Sequence, residues 1–301
     1  MEYKCLDVEK IYHRFGSKKY HVGISDVNLS FQTGEIIGVL GTSRSGKSTL
    51  IDILSGRLRI TRGKLNYEGK EVSKVYSESS IKLNKNLSVY DNMVSFGKKE
   101  KMSELDVENR MAQLRDIFSL NKYINTKASE LDETNRVKSE LAMVLLTSPR
   151  ILFIDDAFSY LNNVTRNEIL KCLKRLNKQE RTVIFIAATH VSDVDKIANR
   201  IVITSKSKII YDDMIDSFKN KYCSKKLFEV YLNKNISINR IDGIDILENS
   251  EYYYKLLFEN KQGMFAEVIN LFDVNNINDI KIGYQDLSDI IEEIKKDDKN
   301  D

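Results

Sequence analysis

Cysteine is scarce and poorly spaced for chemistry. Cys5, Cys172 and Cys223 are odd in number and far apart, with no Cys-x-x-Cys pair, which argues against a disulfide framework and against a zinc site. A reducing cytosolic compartment fits that usage. Long apolar runs are missing as well: none approaches the ~18 residues of a membrane span. The opening "MEYKCLDVEK" lacks the apolar stretch of a signal peptide. Action at a membrane would therefore need another chain to supply the spans. There is little excess of charge, since 47 Lys and Arg stand against 44 Asp and Glu for a net +3. No global basic field argues for nucleic acid, and the lysines, spread along the chain, read as a solvated surface. Proline is nearly absent, Pro149 being the only one, and no function follows from that.

What is present is enough chain for a sizeable core and roughly two domains: 301 residues, 42% apolar and 30% charged. "VNLSFQ" alternates, with Val27, Leu29 and Phe31 on one face, and "EIIGVL" is a continuous apolar run suited to a strand buried on both sides. Directly after it comes "GTSRSGKST", residues 41–49, in the pattern Gly-x-x-x-x-Gly-Lys-Ser, followed by the amphipathic "KSTLIDILSGRL". Strand, glycine loop and helix in that order are the context a phosphate-binding loop requires. Gly41 and Gly46 let backbone approach the phosphates, and the amides of Thr42, Ser43, Arg44, Ser45 and Thr49 belong to the same cradle. Lys47 offers an ammonium to the β and γ phosphates, and Ser48 offers a hydroxyl to magnesium.

Such a site needs a second magnesium anchor. "ILFIDD" supplies an apolar run ending in Asp155, and Asp156 stands where a general base for water would stand. His190 closes "TVIFIAATH", one helix and one strand later, in position to donate to a γ-phosphate, whereas His13 and His21 have no such context and read as surface residues. Helical spacing in "VYDNMVSFG", "ENRMAQLRDIFSL" and "VKSELAMVLL" predicts an inserted helical subdomain over about 78–148. "NEILKCLKRLNKQ" predicts a helix with Ile169, Leu170, Leu173 and Leu176 on one stripe. After about residue 217 the pattern changes to strands ("LFEVYLN", "IDILEN", "YYYKLLFEN", "DIKIGYQ"), one helix ("MFAEVINLF") and a closing helix ("LSDIIEEIKK").

Phosphate loop, helical insert, acidic strand and histidine strand together resemble the ATPase subunit of an ABC transporter, over nearly the whole chain. The fold expected is α/β: a phosphate-loop NTPase core with its helical subdomain over 1–216 and a small α+β accessory domain over 217–301. The resemblance implies ATP and Mg2+ as ligands, a membrane-spanning permease subunit as partner, and a place on the cytoplasmic face of the membrane. It assigns Phe15 of "IYHRFG", with Tyr12 second, to stacking on adenine. It matches "VYSESSIKLNKNLSVYDNM" to the loop that touches the membrane subunit, with Glu78 in the place of the family's glutamine and metal contact, and Ser79 the other register. "SYLN", residues 159–162, stands at the family's dimer-contact loop, with Asn162 replacing an aspartate. The closing domain is similar to that of drug- and peptide-export subunits of the daunorubicin-resistance type.

Two departures stand out. The family's Leu-Ser-Gly-Gly-Gln signature, which acts in trans on the partner's ATP, corresponds here to Leu131, Asp132, Glu133, Thr134 and Asn135. A carboxylate about 5 Å from one phosphate charge costs roughly 3 kcal/mol at an effective dielectric near 20. The family's usual Glu base is Asp156, shorter by about 1.5 Å, and a misplacement near 1 Å costs on the order of 100-fold in rate. The expectation is ATP binding with slow turnover, and a second ATPase subunit rather than another copy as the working partner. A non-hydrolysing regulatory subunit is the alternative. A ribosome-bound or DNA-repair ATPase fits less well, since only one cassette and no long coiled coil are present.

Overall fold

The computed structural model describes residues 2–13, 20–67, 69–77, 82–187, 191–222, 225–236, 238, 242–261 and 263–284. The chain folds as two compact units, Met1–Asp213 and Met214–Asp301, the division falling slightly before the boundary expected at 216.

The first unit begins with β1 (Glu2–His13), β2 (Tyr20–Gln32), β3 (Ile36–Gly41), α1 (Lys47–Leu54), β4 (Arg62–Leu65), α2 (Gly69–Val72) and β5 (Ser73–Ser77). Helices α3 (Val89–Lys99), α4 (Glu104–Phe118) and α5 (Glu133–Val144) follow, and the chain returns to the sheet through β6 (Ile151–Asp155). Next come α6 (Asn163–Glu180), β7 (Val183–Ala187), α7 (Val191–Ile197), β8 (Arg200–Ser205) and β9 (Lys208–Met214). β1, β2 and β4 form an antiparallel sheet in the order β2-β1-β4. The main sheet runs β5-β6-β7-β3-β8-β9, parallel across β5, β6, β7, β3 and β8.

Burial explains the strand types. Val27, Leu29 and Phe31 of β2 are buried alternately, as its sequence predicts, whereas β3, β6 and β7 are buried almost throughout because both faces of the parallel sheet are covered, one of them by α1 and the antiparallel sheet. Tyr3, Phe31, Ile37, Leu50, Phe153 and Phe185 belong to one core joining the two sheets and α1. Among the described residues, four α-helices begin on side-chain caps: Ser88 for α3, Ser103 for α4, Asp132 for α5 and Asn162 for α6. Each cap accepts from an amide three residues on, which answers one of the orphan donors at a helix start.

The second unit holds α8 (Ile215–Tyr222), β10 (Lys225–Leu232), β11 (Ile244–Ser250), β12 (Tyr253–Glu259), α9 (Met264–Asn270) and β13 (Ile277–Tyr284). Its antiparallel sheet runs β11-β12-β10-β13, and Phe228, Val230, Leu256, Phe258, Val268 and Phe272 form its core. The predicted closing helix over "LSDIIEEIKK" lies outside the described residues.

Candidate functional site

The loop between β3 and α1 is shaped by what cannot fit there. A Cβ on Gly41 would lie 2.4 Å from Ser45 Oγ and 2.5 Å from the Thr204 carbonyl oxygen. Gly46, the residue before α1, has φ 108°, and a Cβ there would meet the Gly23 carbonyl oxygen at 3.0 Å. Both positions therefore need glycine. Ser45 is tied down by a 2.8 Å hydroxyl contact with Thr204, and its amide donates to the Thr42 carbonyl. Ser43 and Arg44 are exposed at the tip, and Arg44 takes a left-handed φ of 63°. Lys47 bends back over the loop, its Nζ donating to the carbonyls of Gly41 and Thr42 at 2.9 Å each. That places an ammonium inside the ring of loop backbone.

Two chain-distant residues meet beside it. Ser48 Oγ donates to Asp155 Oδ1 at 3.2 Å, across 107 residues of sequence. Burial pushes the Asp155 carboxyl above its ordinary value, and the Ser48 hydrogen bond pulls it partly back. A half-buried carboxylate against a hydroxyl is a hard-oxygen set of the kind Mg2+ takes. These residues fit the magnesium and triphosphate expected of the loop: Ser48 and Asp155 would hold the metal, and Lys47 with the loop amides would hold phosphate. Asp156 is exposed, with φ 47° and its amide bonded to the Ala187 carbonyl at 2.9 Å. Left-handed backbone is tolerated by Asp better than by most residues. The conformation thus supplies a local reason for Asp at this position.

Tyr12 lies beside the loop. Its hydroxyl is 3.4 Å from Thr49 Oγ1, its ring stacks on His21 with centroids 6.4 Å apart, and Lys10 sits 5.4 Å from its centroid. Phe15, Glu78, Ser79 and His190 lie outside the described residues.

The segment 131–135 folds as a well-made helix start. Asp132 Oδ1 accepts the Asn135 amide and Oδ2 accepts Asn135 Nδ2, both at 2.7 Å. Thr134 Oγ1 meets Thr165 Oγ1 at 2.7 Å, a contact a glycine could not make. Next to it, the 159–162 loop is closed by Ser159 Oγ donating to the Asp156 carbonyl, and Asn162 accepts the Thr165 amide at 2.9 Å.

Sequence reasoning missed three buried charges near these segments. Glu140, on α5, accepts from Tyr76 Oη at 2.9 Å, Arg136 Nη1 at 3.3 Å and Lys82 Nζ at 3.4 Å. Arg166, on α6, pairs with Asp193, on α7, at 3.2 Å. Nothing in the local sequence marks these charges, which stand among other polar residues of their helices.

This strand, glycine loop and helix, with a carboxylate strand beside them, define a phosphate-loop nucleotide-binding fold. The ABC transporter family pattern matches residues 24–159. The lipoprotein-releasing system ATP-binding protein LolD of Wigglesworthia glossinidia brevipalpis is 31% identical over 201 residues, covering 62% of this chain and 86% of LolD. The methionine import ATP-binding protein MetN 2 of Bacillus cereus is 28% identical over 217 residues. That match covers 68% of this chain and spans 63% of the length of MetN 2. Among solved structures, cbiO1 of Clostridium perfringens superposes with a TM-score of 0.63 at 18% identity, covering 73% of this chain and 91% of cbiO1. The dimeric ATP-binding cassette MJ0796 bound to ADP and Pi superposes with a TM-score of 0.58 at 19% identity, covering 71% and 98%. The chain belongs to the ABC transporter ATP-binding family, and its fold is the mixed α/β fold of that family's ATPases.

Proposed function

We propose that this chain is the ATP-binding subunit of a membrane exporter, holding Mg-ATP at a head-to-tail dimer interface and driving a permease partner from the cytoplasmic side. Lys47, Ser48 and Asp155 are its binding groups, Asp156 and His190 its catalytic candidates, Phe15 or Tyr12 its adenine contact and Glu78 its link to the metal. The printed names of the relatives point to both import (MetN) and release (LolD). Export rests on the resemblance of the closing domain to drug- and peptide-export subunits.

Within that role hydrolysis is weakened. The observation that carries this is Asp132: both of its carboxylate oxygens are engaged at the start of α5. One helix-start amide that a partner's phosphate would seek, that of Asn135, already has an acceptor, and that acceptor is anionic. The shortened base Asp156 adds a second defect, on the other composite site. If the partner is a standard ATPase subunit, each site carries one defect. If it is a second copy, both sites carry both, so an unequal pair is the arrangement with the faster turnover.

The test is nucleotide binding and hydrolysis by the purified chain, alone and with its co-purified partner. Expected are Mg-ATP binding that Lys47→Ala removes, slow turnover alone and faster turnover with a standard subunit. Rapid turnover by the chain alone, abolished by Lys47→Ala, would overturn the weakened-hydrolysis reading. Binding with no turnover in any combination would favour the regulatory-subunit alternative.

A further inference from the structure

The first turn of α6 touches three segments that are far apart in sequence. Thr165, fully buried, meets Thr134 of the signature-equivalent segment at 2.7 Å. Arg166 Nη2 donates to the Leu161 carbonyl of the 159–162 loop at 2.9 Å. Arg166 Nη1 donates to Asp193 Oδ2 on α7 at 3.2 Å. Helix α7 in turn sits hard on β3, the strand that leads into the phosphate loop: a Cβ on Gly38 would fall 2.0 Å from Val194 Cγ1.

The ion pair is poorly built for stability. Arg166 is 7% and Asp193 3% exposed. Arg166 Nε and Asp193 Oδ1 are buried without a hydrogen-bond partner among the described residues. A buried pair with one contact and two orphaned atoms returns little against its desolvation, so its use lies elsewhere. What the guanidinium does is geometric. Its two forks hold a loop carbonyl and a helix carboxylate at once, which a point-charged ammonium cannot reproduce. Thr165, the adjacent residue, adds the third tie.

We propose that Arg166 is a positioning residue that makes the signature-equivalent segment 131–135, the loop 159–162 and helix α7 respond as one block. A partner that engages 131–135 or 159–162 then shifts α7 on β3, and with it the approach to the phosphate loop. This rests on the dimeric reading above for its functional use, while the coupling itself is a property of the single chain.

Hydrogen exchange resolved by peptide tests it on the full chain. Asp193→Asn, nearly isosteric and located in α7, is expected to speed exchange in 159–162 and 131–137 as well as in α7. The expected factor is about tenfold, corresponding to about 1.4 kcal/mol, with α1 unchanged. Arg166→Lys is expected to give the same pattern despite keeping the charge. Thr134→Ala, at a partly exposed site, should speed 131–137 and carry a smaller increase into α7. Loosening confined to the segment that bears each substitution, or full rescue by Lys, would overturn the proposal. Adding Mg-ATP separates the two readings. If the phosphate loop of the unmodified chain gains no protection, the ATP-binding reading fails whatever the coupled pattern shows.

Discussion

Glu140 offers a sharp check on the structural reasoning. Its side chain is 2% exposed, yet it carries a carboxylate that accepts from Tyr76, Lys82 and Arg136. The three donors differ in what they lose if the carboxylate goes. The side chains of Lys82 and Arg136 are 41% and 33% exposed, so their charged ends can turn to water at small cost. Tyr76 is fully buried, and besides Glu140 its hydroxyl has the Tyr160 hydroxyl within hydrogen-bond reach. Burial, and then the Glu140 charge, hold that hydroxyl far above the ordinary tyrosine range, so it remains a donor. Glu140→Leu therefore takes the anionic acceptor from a buried hydroxyl and leaves it only Tyr160, at about 1–3 kcal/mol. Tyr76→Phe takes a charge-assisted hydrogen bond from a buried carboxylate, at about 1.5–3 kcal/mol. Both changes together leave neither an orphaned hydroxyl nor a buried charge, and such replacements are close to neutral. The double variant is thus expected to lose about 1 kcal/mol rather than the sum of ~4, a coupling of roughly 2–3 kcal/mol. Urea unfolding followed by far-UV circular dichroism reads it, with midpoints compared at constant slope. If the two losses add to within about 0.5 kcal/mol, the two groups do not depend on each other and the account of this buried cluster is wrong.

Three further outcomes are expected. Asp132→Ala removes the α5 cap and should cost ~1 kcal/mol, a fall of about 2–4 °C in Tm. Asp132→Ser should stay within a few tenths, and equal losses for the two variants would count against capping as the role. Asp156→Glu lengthens the candidate base but forces a longer side chain onto a left-handed backbone, φ 47°. Turnover should rise while stability falls by up to ~1 kcal/mol, measured by steady-state hydrolysis and thermal melts; unchanged turnover would remove reach as the explanation. Asp155 has a folded value raised by burial, so the folded chain takes up its proton at higher pH than the unfolded chain does. The ionised carboxylate therefore costs stability at neutral pH, and that cost disappears as pH falls through the raised value. Asp155→Asn should stabilise the nucleotide-free chain near neutrality and lose that advantage in acid. Magnesium-dependent nucleotide binding should weaken on acidification sooner than an ordinary aspartate would allow. A pH-independent effect of Asp155→Asn on melting would contradict the assigned shift.

Much of the scaffold was legible in the chain. β3, the glycine loop and α1 follow from an apolar run, two glycines that no Cβ could replace and a helical stripe. β6 and β7 follow from short Val, Ile and Phe-rich runs. The buried stripe of α6 falls on Ile169, Leu170, Leu173 and Leu176 as its periodicity predicts. α7 was not legible: "VSDVDKI" is seven residues long and mostly polar, and its place is set by Val194 packing on Gly38 of β3. The charged cluster was not legible either. Arg136 and Glu140 stand four apart on a helix, the spacing of an ordinary solvated pair. Only the approach of Tyr76, 64 residues away, makes the carboxylate a buried one.

By itself, then, the sequence determined the local chemistry: where backbone must turn, which runs are strands or helices, and which residue types surround a phosphate loop. Those properties depend on neighbours a few positions apart, through glycine's freedom and the periods of strand and helix. Tertiary structure alone decided which polar groups lose their water and whom they meet instead. That is why Arg166 with Asp193 and Thr134 with Thr165 emerge only in three dimensions. Desolvation and hydrogen-bond geometry are set by packing across the sheet and between helices, and no spacing along the chain records them.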